Sequence, residues 1–398
     1  MSKSLRRGSV LEVLRAFLKL GCSSFGGPIA HLGYFRAEFV ERRGWLDDQS
    51  YIDLIALCQF LPGPASSQIG MALGHKRAGW LGALAAWLGF TLPSAIALIL
   101  FAYGIAQWPA LALSGALHGL MVVAAAVVAQ AVCAMAKSLC PDRLRAGIAL
   151  GAASILIAAP SAVGQIWVIL LGGLAGYWMQ PQRPMLPAAR SECSVSRRTG
   201  GVLLGLFALL LLLLPTLAVV WSSPWLSAAS VFYRSGALVF GGGHVVLPLL
   251  QAGVVPPGWI SNDIFLTGYG AAQALPGPLF AFAAYVGAAM FSPLGGWIGG
   301  LMLLGAIFLP AFLLVFGALP FWDTLRHRES VRRAMGGINA AVVGILAAAL
   351  YEPVCTSAIH ARSDCLLALA AFGLLVFARI SPVLVVALGA VVGWGMST

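Results

Sequence analysis

The chain has 398 residues, of which 60% are apolar and only 9% charged, and its mean hydropathy is +0.92. A soluble domain carries roughly a quarter charged residues, so most of this surface faces lipid and a soluble globular protein is excluded. The net charge of +11 sits in short clusters between apolar runs, with no basic face carrying interleaved aromatics, so it reads as topology signal and no nucleic-acid partner is expected.

Runs 79–106, 111–136, 146–182, 201–233 and 264–322 contain no Asp, Glu, Lys or Arg. A bilayer span needs about 20 apolar residues, so 264–322 crosses or re-enters more than once. The first strong apolar run starts well inside the chain, and no removable signal peptide is expected. In chain order, a short helix over about 10–24 ends at Phe25-Gly26-Gly27, and helices over 50–61 and 65–75 flank Leu61-Pro62-Gly63-Pro64. Spans follow at 79–106 and 111–137, then short helices at 145–159 and 162–179. Residues 180–200, rich in Pro, Arg and Ser, are a linker, and 201–221 is a further span. The same series then returns at 225–239, 262–275, 279–291, 295–321, 334–351, 364–378 and 381–397. The fold class is an all-α polytopic membrane protein with broken or re-entrant helices.

The return is a duplication. Lys19-x-Gly21-x-x-x-Phe25-Gly26-Gly27 recurs as Arg234-x-Gly236-x-x-x-Phe240-Gly241-Gly242, 215 residues later. Gly44-Trp45-Leu46 recurs as Gly258-Trp259-Ile260, and Gln59-x-Leu61-Pro62-Gly63-Pro64 as Gln273-x-Leu275-Pro276-Gly277-Pro278, both shifted by 214. Gly79-Trp80-Leu81-Gly82 recurs as Gly296-Trp297-Ile298-Gly299, shifted by 217. Two homologous repeats, 1–179 and 222–398, are thus joined by the linker 180–200 and the unpaired span 201–221.

Loop charges orient them. Basic loops stay cytoplasmic, and the first half is basic at 75–77, 137–145 and 180–200 but bare at 107–110 and 160–161. The corresponding places in the second half reverse this: 289–294, 352–364 and the C-terminus carry no excess of basic residues, whereas 326–333 and Arg379 are basic. The halves are expected to be inverted, with the N-terminus and linker cytoplasmic and 201–221 supplying the odd crossing. Inverted repeats are a transporter arrangement with the site at the repeat interface near the midplane.

Candidate site residues follow from cost at membrane depth. Pro62, Pro64, Pro276 and Pro278 end one helix and begin the next, and broken backbone is tolerated there only inside protein or along an aqueous cavity. The freed N–H groups near Gly26, Gly27, Gly63, Gly241, Gly242 and Gly277 suit a tetrahedral anion; packed kinks are the alternative. Arg234 is the only charged residue between Arg198 and Asp263, and Lys19 is its repeat mate. Paired across an oxyanion they would offset the roughly 3 kcal/mol cost of a buried cation; snorkelling is the alternative, above all for Lys19. Gln59, Gln273 and Gln68 offer neutral amide donors or helix ties. His31 and His244 follow the F-G-G breaks and could donate or take up a proton. Asp53 and His118 are the proton-coupling candidates, although His118 could equally be a satisfied structural histidine. The run Arg36 to Arg43 reads as an interfacial amphipathic helix, with Arg36 a candidate for an entrance. Seven scattered cysteines without C-x-x-C predict neither a disulfide framework nor a zinc site. No metal and no cofactor are expected.

The stretches Ser24-Phe-Gly-Gly-Pro-Ile-Ala-His31, Gln59-Phe-Leu-Pro-Gly-Pro-Ala-Ser-Ser-Gln68, Phe240-Gly-Gly-Gly-His-Val-Val-Leu-Pro248 and Gly268-Tyr-Gly-Ala-Ala-Gln-Ala-Leu-Pro-Gly-Pro278 resemble the chromate ion transporter family in its long two-domain form. Asn339-Ala-Ala-Val-Val-Gly344 and Tyr351-Glu-Pro353 extend the likeness. The resemblance implies chromate efflux that confers resistance, driven by membrane potential or a proton gradient across a bacterial inner membrane, with sulfate as an analogue. The implied partners are the anion and membrane lipid, and a homodimer stays open. A dianion leaving a negative interior would gain roughly twice the 2.3 kcal/mol per charge that 100 mV supplies. No G-x-x-x-x-G-K-[ST] loop or G-x-S-x-G occurs, which argues against ATP coupling and against an intramembrane hydrolase. A passive anion channel is the remaining alternative.

Overall fold

The structure, a computed structural model, describes residues 8–25, 27–107, 115–159, 161–179, 195–240, 243–325 and 328–397. Every regular element among them is helical. The first half contains α1 (Val10–Ser23), α2 (Gly27–Phe35), α3 (Asp48–Phe60), α4 (Ala65–Gln107), α5 (Gly115–Leu139), α6 (Arg143–Ala158) and α7 (Ala162–Met179). After α8 (Arg197–Trp221) come α9 (Pro224–Ala237), α10 (Val246–Val254), α11 (Asn262–Gln273), α12 (Phe282–Ala289), α13 (Gly296–Ala318), α14 (Glu329–Ala349), α15 (Arg362–Val376) and α16 (Pro382–Ser397). Short 3₁₀ turns, Gly243–Val245 and Leu279–Ala281, lead into α10 and α12.

Capping chemistry sets several starts. The side chain of Asp47 accepts from Ser50 N at the head of α3, and Ser261, at the corresponding place, accepts from Ile264 N at the head of α11. Ser196 accepts from Thr199 N, so α8 begins at Arg197, earlier than the 201 expected from its uncharged run. The two predicted segments 65–75 and 79–106 form α4, broken at Ala78 and Gly79, where Gly79 has φ 66°. Its counterpart Gly296 has φ 82° and separates α12 from α13. The sequence map left α2 and α10 unassigned, because each is only nine residues long and begins directly after a glycine break. Among the described residues, five helical runs are long and apolar enough to cross a bilayer: Ala65–Gln107, Gly115–Leu139, Arg197–Trp221, Gly296–Phe321 and Glu329–Ala358. The chain is therefore a multi-pass membrane protein.

Packing interlocks the halves. α1 lies along α4, and α9 lies along α13. The last two helices of each half do not return to their own fifth helix alone: α6 and α7 pack on α14, while α15 and α16 pack on α5. Glycines line both seams, as expected where close backbone approach replaces hydrophobic driving force in lipid. A Cβ on Gly119 would sit 2.1 Å from Gly389 O, and one on Gly337 would sit 2.0 Å from Gly172 O. The unpaired α8 packs on α9 and α13, and its most apolar stretch is otherwise unburied.

Corresponding residues meet different charge. Trp45 lies between Arg43 and Arg77, whose guanidinium carbons are 5.6 Å and 5.5 Å from its ring. The carbonyl of its mate Trp259 instead accepts a hydrogen bond from Phe291 N, in a stretch free of charged residues. Arg36, half-exposed, is hydrogen bonded to Asp48 at 2.8 Å and paired with Glu41. The run 36–42 is π-helical. Burial raises the Glu38 carboxyl, but hydrogen bonds from Arg42 and Arg43 outweigh it and hold that group below its ordinary range.

Candidate functional site at the crossing of the broken helices

Each Leu-Pro-Gly-Pro break is tied to the glycine break of the opposite half. Gly63 N–H donates to Val239 O at 2.6 Å, and Gly277 N–H donates to Ser24 O at 2.9 Å. Gly63 corresponds to Gly277, and Ser24 corresponds to Val239, so the two bonds are reciprocal. Such exchange of contacts is what a two-fold relation produces. Both glycines have φ values that other residues rarely adopt, +117° and +99°. Each sits against the first long span of the other half, α13 or α4: a Cβ on Gly63 would be 3.2 Å from Ala311 Cβ, and one on Gly277 would be 2.9 Å from Ser94 Oγ. Pro93 and Pro310 lie inside those helices, next to the contacts.

Helix starts converge here. A Cβ on Gly243 would lie 3.7 Å from Leu279 Cβ and 3.8 Å from Pro28 Cγ. These positions belong to the first turns leading into α10, α12 and α2. Each start presents N–H groups without intrahelical partners and roughly half a positive charge. Three such starts this close together suit an anion.

The first half lines this region with neutral polar groups. His31 is 1% exposed; its Nε2 lies 3.2 Å from Ser24 O and its Nδ1 3.4 Å from Ser66 Oγ. A carbonyl only accepts, so Nε2 carries the proton and Nδ1 accepts from the hydroxyl. Gln68 Nε2 donates to Pro62 O at 2.9 Å and so braces the break. Ser24 Oγ, Ser67 Oγ, Gln68 Oε1 and Thr91 Oγ1 are buried and find no hydrogen-bond partner among the described residues. Orphaned buried polar atoms are rare enough to require a cause, and four around one set of helix breaks fit an absent polar ligand. The corresponding second-half residues are Val239, Ala281, Phe282 and Phe308, so these four positions are polar in the first half alone.

The sequence candidates divide accordingly. Gly63, Gly277, Pro62, Pro64, Pro276, Pro278, Gln68, His31 and Gly27 lie at or next to the crossing. Gly26, Gly241 and Gly242 fall outside the described residues. His244 is at the second-half break, where its Nδ1 is 2.7 Å from Tyr269 Oη. Gln273 is half-buried, and its Nε2 has no partner among the described residues; Gln59 is exposed. Arg234 is half-buried on α9 without a carboxylate partner among the described residues, five residues before Val239 or about 7.5 Å along a helix. Lys19, its mate, is exposed, so the two cations occupy unlike environments. Asp53 is buried, at 4% exposure. His118 belongs elsewhere, paired with Asp364.

Sequence reasoning passed over Thr91 and Ser94, and quoted Ser24, Ser66 and Ser67 only as parts of motifs. The signal was present: each is a hydroxyl where the other repeat has Val239, Phe280, Ala281, Phe308 or Ala311. The donor set is hydroxyls, amides and main-chain N–H groups, suited to an oxyanion rather than a transition metal.

The comparisons agree with this duplicated design. The chromate transporter family model matches the chain twice, over residues 11–177 and 226–394. A chromate transport protein of Pseudomonas aeruginosa is 28% identical over 364 residues, covering 86% of this chain and 80% of that protein. A chromate transport protein of Cupriavidus metallidurans is 26% identical over 390 residues, covering 96% of this chain and 92% of that protein. A probable chromate transport protein of Synechococcus elongatus is 27% identical over 351 residues, covering 86% and 84%. No solved structure matches the chain. With both halves matched, the chain belongs to the chromate transporter family.

Proposed function

We propose that the chain is a secondary transporter that carries chromate out of the bacterial cell across the inner membrane, and so confers chromate resistance. The oxyanion binds where the two halves cross, and sulfate, with the same shape and charge, competes for the site. The observation that carries this reading is the convergence of three helix starts beside four partnerless polar groups, bounded by the reciprocal Gly63–Val239 and Gly277–Ser24 hydrogen bonds. Main-chain N–H groups and hydroxyls supply the direct donors, and Arg234 supplies the compensating charge from the adjoining helix. The membrane potential drives export, since each charge is worth about 2.3 kcal/mol per 100 mV; a proton gradient can add to it through Asp53. Inverted halves with the N-terminus cytoplasmic fit the basic surroundings of Trp45 and the bare ones of Trp259.

Labelled chromate flux in proteoliposomes, under imposed potential and pH gradients, tests the reading. Saturable, potential-dependent chromate movement that unlabelled sulfate inhibits is expected. Arg234→Ala should abolish it while leaving membrane insertion and Tm in detergent unchanged. Flux absent under every gradient contradicts the function, and full flux in Arg234→Ala contradicts the assigned cation.

A further inference from the structure

Away from the crossing, three metal-ligating side chains meet across the seam between the halves. His118 lies in the first turn of α5, whereas His360 and Asp364 bracket the start of α15. His118 Nε2 is 3.0 Å from Asp364 Oδ1, and one ligand atom from each of the three residues lies within 4.8 Å of the others. Asp364 is 3% exposed. Its Oδ2 accepts from His360 N and Ala361 N, each at 3.0 Å, which fixes the carboxylate as the cap of α15. Its Oδ1 is thereby held toward His118. The His118 side chain is about one-third exposed, and His360 is exposed, so an ion can enter from outside the packed seam.

We propose that His118, His360 and Asp364 form a site for a divalent first-row transition metal ion of the Zn²⁺ class, which clasps α5 of one half to α15 of the other. Two imidazoles and one carboxylate with a position left for water is an established zinc donor set. Ligand atoms about 2.0–2.1 Å from one tetrahedral ion lie about 3.3 Å apart. The His118–Asp364 pair, at 3.0 Å, needs to open only slightly to admit an ion, and the exposed His360 ring has the freedom to close the remainder. The cap bonds from His360 N and Ala361 N orient the carboxylate, as hydrogen bonds behind a metal ligand commonly do. The cap bond from His360 N brings the third imidazole beside the pair, with its ring centroid 6.1 Å from that of His118.

Equilibrium dialysis of the purified full-length chain with ZnCl₂, read by elemental analysis and paired with Tm measurements, tests the site. One Zn²⁺ per chain and a concentration-dependent rise in Tm are expected, since an ion bound only by the folded state stabilises it. Asp364→Asn keeps an oxygen for the cap and His360→Ala leaves the buried seam untouched. His360→Ala should fold with an unchanged metal-free Tm, and Asp364→Asn with a lower one because the amide gives up the carboxylate's charge-assisted bonds; both should lose Zn²⁺ affinity on the order of 100-fold. No stoichiometric Zn²⁺ in the wild type, or equal binding in both variants, overturns the proposal. Neither the dialysis nor the Tm measurement depends on chromate flux, so the site and the transport function stand or fall separately.

Discussion

Thr91 carries a hydroxyl on a buried helix face, where the second repeat has Phe308, and that hydroxyl has no hydrogen-bond partner among the described residues. A polar group stranded in this way costs about 1–3 kcal/mol. Thr91→Val removes the hydroxyl at nearly constant volume and should raise stability in detergent by about 1 kcal/mol, read as an increase in Tm. If the hydroxyl serves chromate, the same substitution lowers flux. Stability and activity would then move in opposite directions, which a purely structural threonine does not produce. Gly63 and Gly277 make the complementary case: the helix breaks were read from L-P-G-P, but the cross-half hydrogen bonds were not. No spacing in the sequence says which carbonyl a loop N–H will reach.

Among elements, the helices were legible almost throughout, because long uncharged runs and repeated glycine-proline punctuation mark them directly. The run 262–275 became α11, Asn262–Gln273, and 145–159 became α6, Arg143–Ala158. What escaped was pairing between elements. Apolar periodicity does not reveal that α7 serves α14, or that α16 serves α5. The glycines Gly172 and Gly176, and their counterparts Gly389 and Gly393, mark those seams by their four-residue spacing, a helix-contact signature in lipid. Gly119→Leu should therefore break the α5–α16 seam, since even its Cβ would meet Gly389 O at 2.1 Å. Gly305→Leu, on α13 with open space at that position, is the control. Thermal unfolding in detergent should show Gly119→Leu destabilised by several kcal/mol, about the scale of overpacking without relaxation, and Gly305→Leu nearly unchanged.

At the scale of the molecule, two repeats exchange both their site-forming loops and their terminal helices. Neither half closes its own core, since α5 needs α15 and α16 while α14 needs α6 and α7. Duplication was readable from four motif blocks at nearly one offset, and the proposed opposite orientation rests on the alternation of basic and bare loops. The positions polar in the first half alone were not read, because similarity between repeats draws attention to what they share, and the chemistry resides in what they do not. His118, His360 and Asp364 were hidden for another reason: 242 positions separate His118 from His360, and no local motif connects them.

Orientation of the halves decides whether the crossing can serve a substrate from both sides of the membrane. In a chain with its native cysteines replaced, Lys76→Cys and Phe291→Cys place single thiols at exposed positions just before corresponding helical segments. Labelling by a membrane-impermeant maleimide in right-side-out and inside-out vesicles reads their sides. Inverted halves predict that position 76 reacts only from the cytoplasmic side and position 291 only from the opposite side. Reaction of both from the same side would contradict the inverted arrangement, and with it a crossing that opens alternately to the two faces.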